Sequence, residues 1–305
     1  RAGRAEPLET VSGRAFGTEW HLASPSGSDI ARLRPAIEAV LDEVDRQMSP
    51  WRADSEIGRF NAGRAGEHRV GTATAHVAAE ALRLTARSNG AFDPTVGPLV
   101  ARWGFGPIAG DAGPGWRGIA IEGDTLVKDN VGLTLDLCGI AKGRALDRMG
   151  AMLAEAGHAD FLLDLGGELL ARGRHPSGRA WRVGIEDPRP GYEAPSEVLV
   201  PGDAAVATSG RRWNGYTLEG RHYSHIIDPE TGAPVSGSLA SVSVLAVDAM
   251  TADAWATALM ASGDAGPALA RQAGIAALFQ FADPAGLRLL ATGGFDRHLQ
   301  GGGTP

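Results

Sequence analysis

Helical stripes and β-rich runs come in clusters along this chain, and that order is what most limits its fold. In residues 29–48, Ile30, Leu33, Ile37, Val40, Leu41, Val44 and Met48 fall on one stripe, which predicts an amphipathic helix behind a Ser28/Asp29 cap. Pro35 should trim or kink its first turns. A second helix is expected over 74–88, with Val77, Ala81 and Leu84 inward and Asn89-Gly90 as a left-handed stop. A third covers 141–156, with Leu146, Met149 and Leu153 inward and Gly157 ending it. A fourth runs from Ala249 toward Gly263, and a short one spans 267–273. Strands are expected at 133–137, 181–185, 197–200, 204–208, 223–227 and 241–247, and a hairpin joins 276–281 to 287–291. Strict βαβ alternation is missing, so the expected class is α+β, with largely antiparallel sheets and flanking helices. The Gly/Pro-rich stretch 104–118 reads as the flexible loop.

A length of 305 residues allows one large core or two smaller ones. The formal charge of -7 comes without any basic run, which argues against sequence-independent nucleic-acid binding. Cys138 is the single cysteine, so an internal disulfide and a Cys-based zinc knuckle are excluded. No apolar run reaches the ~18–20 residues of a membrane span. The sequence starts at Arg1 without Met, so an export or anchoring segment is expected to have been removable, and membrane association is expected only through such an anchor.

Five polar, glycine-punctuated islands interrupt the core patterns, and loops of that kind concentrate function. Met48 to Asn61 ends one helix and, at Asp54-Ser55-Glu56, can cap a short new one. Its Trp51 can stack on a planar ligand or plug the loop into the core. Gly90 to Leu99 is held extended by Pro94 and Pro98 and leads to Trp103-Gly104-Phe105, either as a ledge for a ligand or as a structural turn. Asp136-Leu137-Cys138-Gly139-Ile140-Ala141-Lys142-Gly143 joins a strand to a helix. Gly139 there permits close approach, and Lys142, placed in the first helical turn, suits a phosphate, although a solvated Lys at a plain turn fits as well. Asp164-Leu165-Gly166-Gly167-Glu168 sets two carboxylates about a turn and reads as structural. Finally, Ala207 to Gly210 and His222 to Gly232 include His225 at an apolar strand end, where an imidazole can take a proton or satisfy a buried carbonyl. On the last long helix Asp253 and Thr257, four apart among alanines, project one way and could hold a hard cation such as Mg²⁺. No Gly-x-Ser-x-Gly elbow or Cys/His pair supports a protein nucleophile.

Taken in order, these segments resemble the ApbE family of FAD:protein FMN transferases, over about residues 13–263. The resemblance rests on Met48-Ser49-x-Trp51-Arg52-x-Asp54-Ser55-Glu56-Ile57 with Phe60-Asn61, on Gly90-Ala91-Phe92-Asp93-Pro94-Thr95-Val96, on Asp136-Leu137-x-Gly139-Ile140-Ala141-Lys142-Gly143, on His225-Ile226-Ile227-Asp228-Pro229-x-Thr231-Gly232, and on the Asp253/Thr257 helix. It implies a T-fold-like architecture, residues 1–305 forming one domain, with two sub-lobes about an FAD/Mg²⁺ site. The implied activity is transfer of FMN from FAD to a Thr or Ser hydroxyl of an acceptor protein, with AMP leaving. The implied acceptor carries an Asp-x-x-Thr/Ser-Gly-Ala-Thr/Ser segment, and the implied location is periplasmic or facing the cell envelope, with the cytoplasm as the alternative. Mg²⁺ would be held by Asp253, Thr257 and the Gly139 carbonyl. FAD would be lined by Phe16, Trp51, Ala91, Phe92, Asp93, Asp136, Lys142, His225, Ile226 and Ile227. His225 is the candidate base and Asp253 the second catalytic residue.

Three positions depart from the usual family pattern: Phe16 replaces Met, Trp51 replaces Tyr, and Cys138 replaces Ser or Gly. The alternatives to transfer are an FAD pyrophosphatase giving FMN and AMP, and a non-catalytic flavin-binding protein. Residues 228–233 imitate the acceptor core, but Pro234 stands where acceptors carry Ser or Thr, so self-modification at Thr231 is not the expected outcome.

Overall fold

The computed structural model describes residues 8–218 and 221–300. The strands are β1 (Leu8–Ala15), β2 (Thr18–Pro25), β3 (Gly66–Arg69), β4 (Ile119–Glu122), β5 (Thr125–Lys128), β6 (Phe161–Leu165), β7 (Glu168–Arg172), β8 (Val183–Ile185), β9 (Glu197–Leu199), β10 (Ala205–Gly210), β11 (Gly215–Leu218), β12 (Arg221–Ser224), β13 (Leu239–Ala246), β14 (Ala276–Asp283) and β15 (Gly286–Thr292). The α-helices are α1 (Arg34–Met48), α2 (Glu56–Ala62), α3 (Thr72–Arg87), α4 (Gly97–Arg102), α5 (Cys138–Glu155), α6 (Ala249–Ala261) and α7 (Gly266–Ala273).

An eight-stranded sheet in the order β1-β2-β6-β7-β10-β13-β14-β15 is antiparallel at every pairing. Smaller sheets are β3-β5-β4, β8-β9 and β11-β12. This is the expected α+β class. Alternation along the strands decides how the layers form. Trp20, Leu22, Leu163, Leu165, Val242, Val244 and Phe279 point to one face, where they meet Leu41, Val44, Leu146, Met149, Trp255 and Leu259 of the helices. Val206 and Leu278 point to the other, where Val183, Ile185, Leu199 and Phe295 cover them. Central strands covered on both faces bury residues at successive positions, as β10 does over 205–207, β13 over 239–244 and β14 over 277–281, with Ser241, Ser243 and Gln280 buried among apolar neighbours.

Several local expectations are corrected. Asp29 sits at φ 53° without a side-chain cap, and a 3₁₀ turn over Ile30–Leu33 precedes α1, which begins one residue before Pro35. Glu9 on β1 does the capping instead, accepting the N–H groups of Asp29 at 3.0 Å and Ala31 at 3.4 Å. Residues 133–137 form no strand. Their backbone is paired with a side chain: Asn61 Nδ2 donates to the Leu135 carbonyl at 2.9 Å, and Asn61 Oδ1 accepts the Leu135 N–H at 2.7 Å. Lys128, fully buried, donates to the Leu133 carbonyl at 3.0 Å, with its ammonium 4.8 Å from the centre of the Phe60 ring. Burial pushes that ammonium's pKa down. The strand expected over 223–227 ends at Ser224, where β12 leaves its partner β11.

Candidate functional site

The crossing of α5 and α6 organises the site. Asp136 accepts the Cys138 N–H at 2.9 Å and starts α5 three residues earlier than its apolar pattern predicts. Across the crossing, Asp147 of α5 accepts the first N–H groups of α6, those of Ala249 at 2.8 Å and Met250 at 2.9 Å. Asp248 caps the same end through Thr251 at 2.8 Å. The helices approach closely because Gly143 has no side chain: a Cβ there would lie 2.2 Å from the Ala249 carbonyl oxygen. That contact lets Asp253 Oδ2 accept the Gly143 N–H at 2.9 Å. A regular helix would pair this N–H with the Gly139 carbonyl, so Asp253 competes with Gly139 for it. Gly139 itself lies against Thr257 and Phe92: a Cβ would be 3.1 Å from Thr257 Oγ1 and 3.2 Å from the Phe92 ring. Ser209 Oγ lies 3.5 Å from Thr257 Oγ1. Gly139, Phe92, Thr257 and Asp253 are thus brought together from two of the islands and the last long helix.

Asp253 does not project into solvent: it is 3 % exposed. Its alanine neighbours let α6 bury on every side, which takes the carboxylate inside with it. Lys142 is displaced from its expected place. With α5 starting at Cys138, the residue falls in the second turn, beyond the free N–H groups. Its ammonium donates instead to Glu168 Oε1 at 2.7 Å. Burial pushes the Glu168 carboxyl up to about 7 against the pull of Lys142. Burial likewise raises the Asp253 carboxyl, opposed by Lys142 and by the Gly143 N–H. For Lys142 burial works against the ammonium, and Glu168 and then Asp253 outweigh it, leaving its pKa above the ordinary lysine value.

Glu168, expected only to flank a structural turn, is instead a partner of Lys142. The Gly166-Gly167 turn forms as expected, with φ of 63° and 97°. However, β6 and β7 pair Glu168 directly with Leu165. Cross-strand partners share a face, and Phe161, Leu163 and Leu165 mark that face as the buried one. The alternation in β6 was therefore the available signal.

His225 is held by its neighbours. Its ring Nδ1 lies 3.0 Å from the Asn214 carbonyl, so Nδ1 carries the proton and Nε2 is the acceptor nitrogen. Burial lowers its pKa; the Asn214 bond opposes this and the charge of Lys142 adds to it. An aromatic ladder supports the ribbon that carries it. Trp103 stacks on Tyr223, Tyr223 on Tyr216 and Tyr216 on Phe105, with centroids 5.6, 5.3 and 5.3 Å apart. Phe105 then meets the His225 ring edge-on at 6.4 Å.

The remaining expected site residues divide. Ile226 and Ile227 are buried, Ile226 within the main core. Asp93 is buried, and burial raises its carboxyl although Thr95 donates to it through both N–H and hydroxyl. Its loop is tied to Asp136, whose N–H donates to the Pro94 carbonyl at 2.7 Å. Ala91 is half-buried beside Phe92. Phe16 is half-buried in the β1–β2 turn at φ 52°, an uncommon conformation for so bulky a residue. Trp51 is 68 % exposed after α1. Phe16 packs against the main core, which contains Phe92 and Ile226. Cys138 lies at the surface.

The ApbE family model matches residues 16–279. An FAD:protein FMN transferase of Vibrio cholerae is 40 % identical over 282 residues, covering 86 % of this chain and 84 % of that protein. One from Escherichia coli K12 is 34 % identical over 280 residues, covering 85 % and 80 %. The solved flavin transferase ApbE of Vibrio cholerae superposes with a TM-score of 0.86 at 37 % identity, over 96 % of this chain and 100 % of that one. The apo flavinyl transferase ApbE of Pseudomonas stutzeri gives 0.85 at 33 %, over 96 % of each chain. With its model matched over most of the sequence and relatives this similar, the chain belongs to the ApbE family.

Proposed function

We propose that this protein transfers FMN from FAD to a Thr or Ser hydroxyl of an acceptor protein, releasing AMP. The observation that carries the reading is the convergence of Lys142, Asp253, Thr257 and Gly139 at the α5–α6 crossing, in a chain whose relatives bear the name FAD:protein FMN transferase. The acceptor oxygen attacks the phosphorus of the FMN half, the pyrophosphate bridge breaks, and AMP departs with the bridging oxygen. The hydroxyl proton goes to Nε2 of His225, which its lowered pKa keeps neutral. Lys142 presents a fixed positive charge to the pyrophosphate, offsetting charge that builds during transfer. The positive φ of Phe16 costs about 1–2 kcal/mol, and strain of this kind gathers where a side chain is held for use. Its ring is assigned to the flavin pocket on that ground.

The donor set fits a hard divalent cation such as Mg²⁺: a carboxylate on Asp253, a hydroxyl on Thr257 and the Gly139 carbonyl. Among the described residues no group of three or more His, Cys, Asp or Glu side chains is placed to hold a metal, so backbone and substrate oxygens would complete the shell. When bound, such an ion neutralises charge on the pyrophosphate. The test is incubation with FAD, Mg²⁺ and a small domain carrying an Asp-x-x-Thr-Gly-Ala-Thr segment, following AMP and both intact masses with and without chelator. A chelator-sensitive FMN adduct on the acceptor is expected. AMP without adduct would replace transfer by hydrolysis, and neither product would leave a flavin-binding protein.

A further inference from the structure

Glu168 is 3 % exposed and sits on a sheet strand, outside every motif that suggested the activity. Of its two carboxylate oxygens, Oε1 accepts from Lys142 at 2.7 Å, while Oε2 is buried without a hydrogen-bond partner. A buried carboxylate satisfied on one side only is costly to keep, so packing alone gives no reason for it. Its one bond goes to the lysine whose next residue, Gly143, donates its N–H to Asp253 Oδ2 at 2.9 Å, so the ammonium is anchored on the helix turn that meets Asp253. The Lys142 side chain is 32 % exposed, and its ammonium has two N–H donors besides the one given to Glu168. A free lysine must give up rotamer freedom to meet an anion, and an anchored one has given it up already.

We infer that Glu168 is a positioning residue, which anchors the Lys142 ammonium beside Asp253 so that it meets the FAD pyrophosphate as a fixed cation. The inference rests on the proposed function for its ligand. The anchor comes from β7, so the sheet, and not only the helix pair, sets where the cation stands. Neutralising the anchor should therefore act only while Lys142 is present.

The experiment is a double-mutant cycle on the full chain with Glu168→Gln, Lys142→Met and the double variant. FAD affinity is read by flavin fluorescence in EDTA, kcat/KM for AMP release is read with Mg²⁺ and acceptor, and folding is followed by thermal unfolding. Glu168→Gln keeps the volume and an acceptor oxygen but removes the charge. It should weaken FAD binding and lower kcat/KM by about tenfold, the cost of losing one charge-assisted contact. In the Lys142→Met background the same change should alter either quantity by less than about twofold, because coupled residues are non-additive. The double variant should also melt no lower than Lys142→Met, since that single variant strands a buried carboxylate.

Equal losses from Glu168→Gln in both backgrounds would overturn the inference. So would tighter FAD binding, which would make Glu168 a competitor for Lys142. A lowered melting temperature with unchanged affinity and kcat/KM would reduce Glu168 to a structural residue. If Glu168→Gln fails to fold, comparing Lys142→Met with the double variant decides, and a further loss above threefold refutes the inference. Wild-type protein that binds FAD but releases no AMP would sink the proposed function alone, with the affinity cycle still judging Glu168. Wild-type protein that binds no FAD would sink both.

Discussion

Replacing Asn61 by Ala tests how the site's entry segment is held. Residues 133–137 lead into Asp136 and Gly139 without a strand partner, and Asn61 stands in for one. Its amide makes both bonds a neighbouring strand would make to Leu135, at 2.9 and 2.7 Å. Leu135 is fully buried, so no water can replace the lost partners without opening the core. Each bond is worth about 1 kcal/mol net, and each stranded backbone group costs about 1–3 kcal/mol. The bonds and the groups overlap, so Asn61→Ala should lose about 2–4 kcal/mol. Asn61→Asp should lose at least as much, because it sets a carboxylate oxygen against the Leu135 carbonyl. Urea unfolding measures the loss, and amide exchange locates it, with the Leu135 N–H losing protection before the helices do. FAD affinity should fall along with it, since Asp136 and Gly139 follow within four residues. A loss below about 1 kcal/mol, or unchanged exchange at Leu135, would refute the splint.

Further outcomes follow from the same geometry. Gly143→Ala should cost about 1–3 kcal/mol and more than tenfold in AMP release, because its Cβ would lie 2.2 Å from a backbone oxygen that no rotamer change can move; unchanged unfolding would mean that α5 and α6 can part freely. Asp253→Asn keeps an acceptor for Gly143 while removing the charge. A raised folded pKa gives stability that is present below the ordinary carboxylate value and lost as pH rises through the folded one. The metal-free variant should therefore be the more stable at pH 7, yet lose any melting shift on adding Mg²⁺ and lose turnover. His225 has the opposite sign: its depressed pKa gives stability present above 6.5 and lost as pH falls through the folded value. His225→Gln should flatten the acid limb of stability between pH 7 and 5, and slow transfer more than FAD binding. Thr231 donates to Asp228 Oδ2 at 2.8 Å within its turn, and the intact mass after FAD and Mg²⁺ treatment should show no FMN adduct.

What could be read from the sequence was what repeats. The stripes of α1, α3 and α5 and the hairpin β14–β15 follow from periodicity, because helices and strands bury residues at fixed spacing. The capping role of Ser55 was visible for the same local reason, and it accepts the Gly58 N–H at 2.8 Å. Residues 133–137 defeated the reading because alternation cannot tell a strand partner from an amide 74 positions away. Strands β1, β2, β6 and β7 also went unread, although β6 alternates cleanly. The island motifs marked where chemistry gathers, but not which charge answers which. Lys142 and Glu168 are 26 positions apart and Gly143 and Asp253 are 110 apart; only the sheet order and the helix crossing bring them together.

The charges gathered there explain why the site and the fold pull in opposite directions. When all are ionised, Glu168 and Asp253 oppose the single ammonium of Lys142, so this buried centre carries one negative charge in excess. Burial raises the pKa of both carboxylates, and Lys142 pulls against it in each case. Apolar residues of similar volume would stabilise such a centre, and the surrounding alanines, glycines and leucines show that the chain can supply them. A bound divalent cation would reverse the sign of the excess, so that the whole centre, and not the Lys142 ammonium alone, attracts the FAD pyrophosphate. On this account the instability of the metal-free centre and its affinity for the substrate have one cause, and a substitution that removes the first should remove the second.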